Sequence, residues 1–103
     1  MTAKANNIIY QPSLIVRLAI KQIQSGFYEY QVLANDLLLY EDSGYESISA
    51  ALMAASVGHE REFLGYEVAY NGITIGTYPS NGFTYKAKFI ADQAVETVAS
   101  LHP

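Results

Sequence analysis

Two alternating runs of β-favouring residues, YEVAY (66–70) and ITIGTY (73–78), flank Asn71-Gly72. Both central positions of a two-residue type I′ turn need positive φ, which Asn and Gly tolerate, so residues 66–78 are predicted to form a β-hairpin. Pairing outward from the turn opposes Tyr70 to Ile73, Val68 to Ile75 and Tyr66 to Thr77. These five apolar residues then share one face, while Glu67, Ala69, Thr74 and Gly76 take the other. FYEYQVLANDLLL (27–39) overlies FLGYEVAYNGITI (63–75), matching Phe27 with Phe63, Tyr30 with Tyr66, Val32 with Val68 and Asn35 with Asn71. Asp36 replaces Gly72 in the turn and Leu37 and Leu39 replace Ile73 and Ile75, so residues 27–41 are read as a second hairpin. The Leu37-Leu38-Leu39 run also suits a helix.

Three segments read as helices. PSLIVRLAIKQIQS (12–25) begins with Pro, runs into Gly26 and places Ser13, Arg17, Lys21 and Gln24 three or four residues apart. That spacing makes one polar helical stripe and leaves a wide apolar arc of Leu14, Ile15, Val16, Leu18, Ala19, Ile20 and Ile23. A second helix is expected from Ser43 or Tyr45 to Val57, with Ile48, Ala51, Leu52 and Ala55 inward and Gly58 as its stop. The third is expected from Thr84, as N-cap, to Leu101, with Ala87, Ile90, Ala91, Ala94, Val98 and Leu101 on one face.

The expected order is α-ββ-α-ββ-α. Two helix-hairpin units would build a single α+β domain over residues 1–103, a four-stranded antiparallel sheet with helices on one face, preceded by an arm at 1–11 that has the look of a short strand. The uncovered face would present Gln31, Leu33, Leu38, Tyr40, Glu67, Ala69 and Thr74. Its first half is apolar enough to suggest sheet-to-sheet dimerisation or docking of a partner.

Composition changes this picture little. The chain has 103 residues, half of them hydrophobic, with neither Cys nor Trp, which suits one packed domain without disulfides or cysteine-held zinc. No apolar stretch is long enough to be read as a membrane span or a secretory leader, so the expected location is cytoplasmic. Charge is more informative. Net charge is -4, and Glu29, Asp36, Glu41, Asp42, Glu46, Glu60, Glu62 and Glu67 crowd into the middle of the chain, opposed there only by Arg61. The ends, with Lys4, Arg17, Lys21, Lys86 and Lys88, are mildly basic.

Candidate chemistry is sparse. His59 and His102 are the two histidines, and HERE (59–62) lacks the second His that a zinc helix places one turn later. No GxSxG, GxGxxG or Walker spacing occurs, and a solvated surface is the plainest reading of Glu41-Asp42. No enzyme and no cofactor is therefore expected. The hairpin-to-helix outline resembles ββα DNA readers, but residues 27–41 and 63–78 hold no Lys or Arg for phosphate contacts, which argues against direct nucleic-acid binding. Nine Tyr are the unusual feature, and Tyr40, Tyr45, Tyr78 and Tyr85 fall at element edges or turns, as interface tyrosines do.

The expectation is a small acidic, non-enzymatic protein-interaction module, homodimeric, that binds a basic protein surface through Glu29, Tyr40, Glu41, Asp42 and Glu67. An inhibitor of a nucleic-acid-binding protein is one form such a module takes. The rivals are a small-molecule pocket between sheet and helices, lined by Phe27, Tyr30, Phe63 and Tyr66, and a structural subunit of an assembly.

Overall fold

The computed structural model describes residues 14–101; the arm at 1–11, the start of the expected first helix and His102 lie outside them. Five strands form one mixed sheet in the order β3-β2-β1-β4-β5. They are β1 (Ile15–Gln24), β2 (Phe27–Ala34), β3 (Leu37–Tyr45), β4 (Gly65–Tyr70) and β5 (Ile73–Pro79). Two helices, α1 (Ile48–Ser56) and α2 (Ala87–Leu101), cover one face, the second entered through a 3-10 turn at Thr84–Lys86.

This corrects the expected four-stranded antiparallel sheet built from two helix-hairpin units. The segment 12–25 is not a helix over its described part; it is β1, the central strand, antiparallel to β2 and parallel to β4. The reason lies in its spacing. Residues four apart share a face in a helix and in a strand alike, so Arg17 and Lys21 fit both periods. The deciding alternation is Val16, Leu18 and Ile20, all buried, against Arg17, Ala19 and Lys21. Ala19 and Ile15 fill the second face with apolar residues and conceal that alternation. Outside that alternation the apolar arc is not core, since Ile15 and Ile23 are each about half exposed. Ile15, Val16, Ile20 and Ile23 are also β-branched, which favours the pleat.

Both hairpins form. Asn35 (φ 51°) and Asp36 (φ 69°) make one turn, Asn71 (φ 49°) and Gly72 (φ 84°) the other. The second differs in register from the expected pairing. Tyr70 faces Ile73, but Ile75 bulges from β5 between the Ala69–Thr74 and Val68–Gly76 pairs, which sets Tyr66 opposite Tyr78. The Tyr78 ring lies over Gly76, where an added Cβ would come within 3.2 Å of its hydroxyl. At the far end Gly65 passes so close to β5 that a Cβ there would stand 2.7 Å from the Tyr78 carbonyl oxygen. The turn is also fastened to β1: the Gln22 N–H donates to Asn71 Oδ1 (2.9 Å) and the Asn71 N–H to the Ile20 carbonyl (2.9 Å).

α1 starts later than expected because β3 continues to Tyr45. Ser47 caps it, its hydroxyl accepting the Ala50 N–H at 3.0 Å, and Gly58 (φ 82°) follows its end. Its inner residues Ile48, Ala51, Leu52 and Ala55 are buried as expected. Thr84 does not cap the last helix. Its hydroxyl instead meets that of buried Ser56 at 2.8 Å, joining the two helices, while Leu101 is exposed rather than inward. The core closes between Val16, Leu18, Ile20, Tyr30, Val32, Tyr66 and Val68 of the sheet and Leu52, Phe83 and Ile90 above it. α1 packs over β1, β2 and β3, and α2 over β4 and β5.

Candidate functional site: the acidic β3 edge

Among the described residues β3 pairs with β2 along one side only, and two bulges shape it. Leu39 is the extra residue between the Val32–Tyr40 and Leu33–Leu38 pairs, and Gly44 (φ 98°) is the extra residue between Glu29–Ser43 and Tyr28–Tyr45. An inserted residue reverses which face the following side chains take. Leu38 therefore shares the open face with Leu33, whereas Tyr40 turns toward the helices with Val32. This corrects the expectation that Tyr40 lies on the uncovered face. Its hydroxyl donates to the Ala55 carbonyl at 2.9 Å, and its ring stacks on His59 with centroids 4.7 Å apart.

Beyond the Leu39 bulge, Glu41 lies opposite Gln31 and Ser43 opposite Glu29 on the open face, with Asp42 opposite Tyr30. Glu29, Glu41, Asp42 and Ser43 line one open recess of about 340 Å³ at the sheet edge. Gln31 Nε2 donates to Glu41 Oε1 at 3.0 Å. The Tyr45 hydroxyl donates to Asp42 Oδ2 and the Ser43 N–H to Asp42 Oδ1, each at 2.8 Å. Those two bonds, Tyr45 first, hold the Asp42 carboxyl below its ordinary range, so it carries its charge to lower pH than a free aspartate. The same bond to Asp42 pushes the Tyr45 hydroxyl up to about 12.

Of the five predicted residues, the fold gathers Glu29, Glu41 and Asp42. It separates Glu67, which lies across the sheet on β4 with its carboxylate 2.7 Å from Arg17 Nη1. Arg17 also donates to the Thr74 hydroxyl at 3.3 Å, so the basic flank of the sequence partly neutralises the acidic centre on this face. Ser43, Tyr45 and Gln31 complete the site. The Tyr45 contribution has a local signal, Asp42 and Tyr45 being three residues apart; the Gln31 contribution depends on strand register.

Beneath the helices an aromatic run passes from Tyr45 through Tyr30, Tyr40, His59, Phe63, Tyr66 and Phe83 to Tyr78, each ring within 6.3 Å of the next. Tyr30, Phe63 and Tyr66 are therefore packed core, and Phe27, 37% exposed, stands apart from them. His59 Nδ1 lies 2.9 Å from Glu62, and among the described residues no three metal-ligating side chains come together. No described helix is long and apolar enough to cross a membrane. Compared with family models, curated proteins and solved structures, the chain matches none.

Proposed function

We propose that this protein is a non-enzymatic interaction module that captures an extended, Lys- and Arg-bearing segment of a partner protein along the β3 edge. The observation that carries this reading is the coincidence of a strand edge unpaired among the described residues with the recess of Glu29, Glu41, Asp42 and Ser43 on a hairpin with no Lys or Arg between residues 27 and 45. An extended segment would add as a sixth strand, its main chain meeting the free edge of β3, alternate cationic side chains reaching Glu29 and Glu41 on the open face and an intervening one reaching Asp42 on the Tyr30 face. Asp42, oriented by Tyr45 and the Ser43 amide, is already fixed for such a contact. Leu38, 42% exposed, offers apolar contact further along the strand. A partner whose basic segment also binds phosphate would lose that contact when the segment is taken up here, and occlusion of this kind is inhibition by competition for the same cations.

The test is titration of a fluorescent peptide of alternating Lys and Val, followed by anisotropy at low and moderate salt. Saturable binding is expected, weakened by salt and by N-methylation of alternate peptide nitrogens, and lost in the double variant Glu41→Lys, Asp42→Lys. Both positions are exposed, so the variant should fold. Binding at moderate salt that survives the double reversal overturns the proposal.

A further inference from the structure

Asn-Gly occurs twice in the chain, at 71–72 and at 81–82. Glycine has no side chain to keep its main-chain nitrogen away from the preceding carboxamide, so the two pairs are chemically alike. The fold separates them. Asn71 is held at two points: its N–H donates to the Ile20 carbonyl and its Oδ1 accepts the Gln22 N–H, each at 2.9 Å. Its carboxamide cannot turn toward the Gly72 nitrogen without breaking the bond to β1. Asn81 is exposed on the link between β5 and the 3-10 turn, and among the described residues neither its carboxamide nor the Gly82 N–H has a hydrogen-bond partner. The chain is anchored on either side of this pair. The Ser80 N–H donates to the Leu64 carbonyl at 3.1 Å and its hydroxyl to that of Phe63 at 2.6 Å, while Phe83 is fully buried. The Phe83 N–H donates to the Ser80 carbonyl at 3.1 Å and closes a turn in which Gly82 has φ 77°. Glycine at that position also admits the opposite sign of φ, so the Asn81–Gly82 peptide unit can rotate between its anchors without displacing either.

We propose that Asn81 is a site of spontaneous modification, converting to aspartate and isoaspartate in the folded protein while Asn71 is protected. The Gly82 nitrogen, its proton removed by hydroxide, attacks Asn81 Cγ. The new C–N bond closes a five-membered imide as the Cγ–Nδ2 bond breaks, and ammonia leaves with a proton from water, which regenerates the hydroxide. A water molecule then opens the ring. Cleavage of the bond from Cγ to nitrogen restores the original main chain with a carboxylate on residue 81. Cleavage of the original peptide bond instead routes the main chain through Cγ and lengthens it by one methylene. Either product has exchanged ammonia for water and adds a negative charge to a chain at net charge -4. The aspartate product leaves the turn as it is, its carboxylate standing at an exposed position. The isoaspartate product cannot close the Ser80–Phe83 turn in the same register, and both anchors belong to the body of the fold. Ser80 ties the turn to the Glu60 and Phe63 carbonyls, and Phe83 packs on Tyr66 with ring centroids 4.5 Å apart. The site lies apart from the β3 recess and depends on no partner.

Mass spectrometry of the whole protein, aged in warm and mildly alkaline buffer, tests the assignment. Trypsin releases residues 62–86 as a single peptide that carries both Asn-Gly pairs, and fragment ions locate the gain in mass from ammonia to water. In the folded protein Asn81 should react about tenfold faster than Asn71, the scale of the two hydrogen bonds that hold Asn71. In concentrated urea the two should react at similar rates. Asn81→Gln, whose longer side chain closes the ring poorly, should abolish the gain at residue 81. The isoaspartate form, separated by chromatography and recognised by its resistance to a protease that cleaves before aspartate, should have a lower urea midpoint than the parent protein, whereas Asn81→Asp should keep the parent's midpoint. A folded protein in which Asn71 reacts as fast as Asn81, or a ratio of the two rates that urea leaves unchanged, overturns the assignment. An isoaspartate form as stable as the parent overturns its effect on the turn.

Discussion

At the level of single residues, Tyr66 is the least comfortable group in the core. It is fully buried between Phe63 and Phe83, and its hydroxyl has no hydrogen-bond partner among the described residues. A buried hydroxyl without a partner forfeits its hydration with nothing in return, a cost of about 1–3 kcal/mol. Tyr66→Phe keeps the ring and removes that cost, so it should leave Tm unchanged or raise it, whereas most core substitutions lower it. A fall of several degrees in Tm would mean that the hydroxyl has a role the packing does not reveal. Gly65 makes the converse case: Gly65→Ala places a methyl group against the Tyr78 carbonyl and should destabilise by about 1–3 kcal/mol, read from the urea midpoint.

Among the elements, legibility followed from how local the determining chemistry is. The two hairpins could be read because Asn35-Asp36 and Asn71-Gly72 can take positive φ, a property of those residues themselves. The faces of α1 and most of α2 could be read because helical periodicity persists over several turns. β1 could not, since Arg17 and Lys21 satisfy two periods at once and the strand that completes its pairing, β4, lies far along the chain. The site was legible in part. Adjacent acids Glu41 and Asp42 were visible, but the Leu39 bulge that turns Tyr40 away from the open face arises from pairing rather than from any residue preference. Deleting Leu39 should therefore force either Tyr40 outward or the β2–β3 register to slip, breaking the Tyr40–Ala55 hydrogen bond and its stack on His59. The expected result is a lower urea midpoint, with loss of NMR contacts between the Tyr40 and His59 rings; retention of those contacts at full stability would show that the bulge does not set the face of Tyr40.

For the molecule as a whole, the buried tyrosines set an alkaline limit. Burial pushes the Tyr66 hydroxyl up to about 12, aided by the nearby Glu60 and Glu62 carboxylates, and burial raises Tyr30, Tyr40, Tyr70 and Tyr78 as well. A raised folded-state value means that the folded chain keeps protons the unfolded chain has released. The associated stability is complete below the ordinary tyrosine value of about 10 and is lost as pH climbs toward 12. Urea midpoints should decline across that window, less steeply in Tyr66→Phe, while phenolate absorbance lags behind that of the denatured protein. A midpoint flat from pH 10 to 12 would contradict the burial argument.

The parallel seam between β1 and β4 has a consequence for how the protein is made. β1, β2 and β3 can pair as they leave the ribosome, each beside its neighbour in sequence, but the other edge of β1 waits until synthesis has passed Tyr70. Through that interval a nascent meander carries Val16, Leu18 and Ile20 beside an open row of main-chain donors and acceptors, a template for joining neighbouring polysomal chains. Arrival of the β4–β5 hairpin, fastened by Asn71 to Gln22 and Ile20, ends that exposure. Slow translation between α1 and β4 would lengthen the vulnerable interval, so the yield of soluble protein should depend on codon choice there while the stability of the finished fold does not.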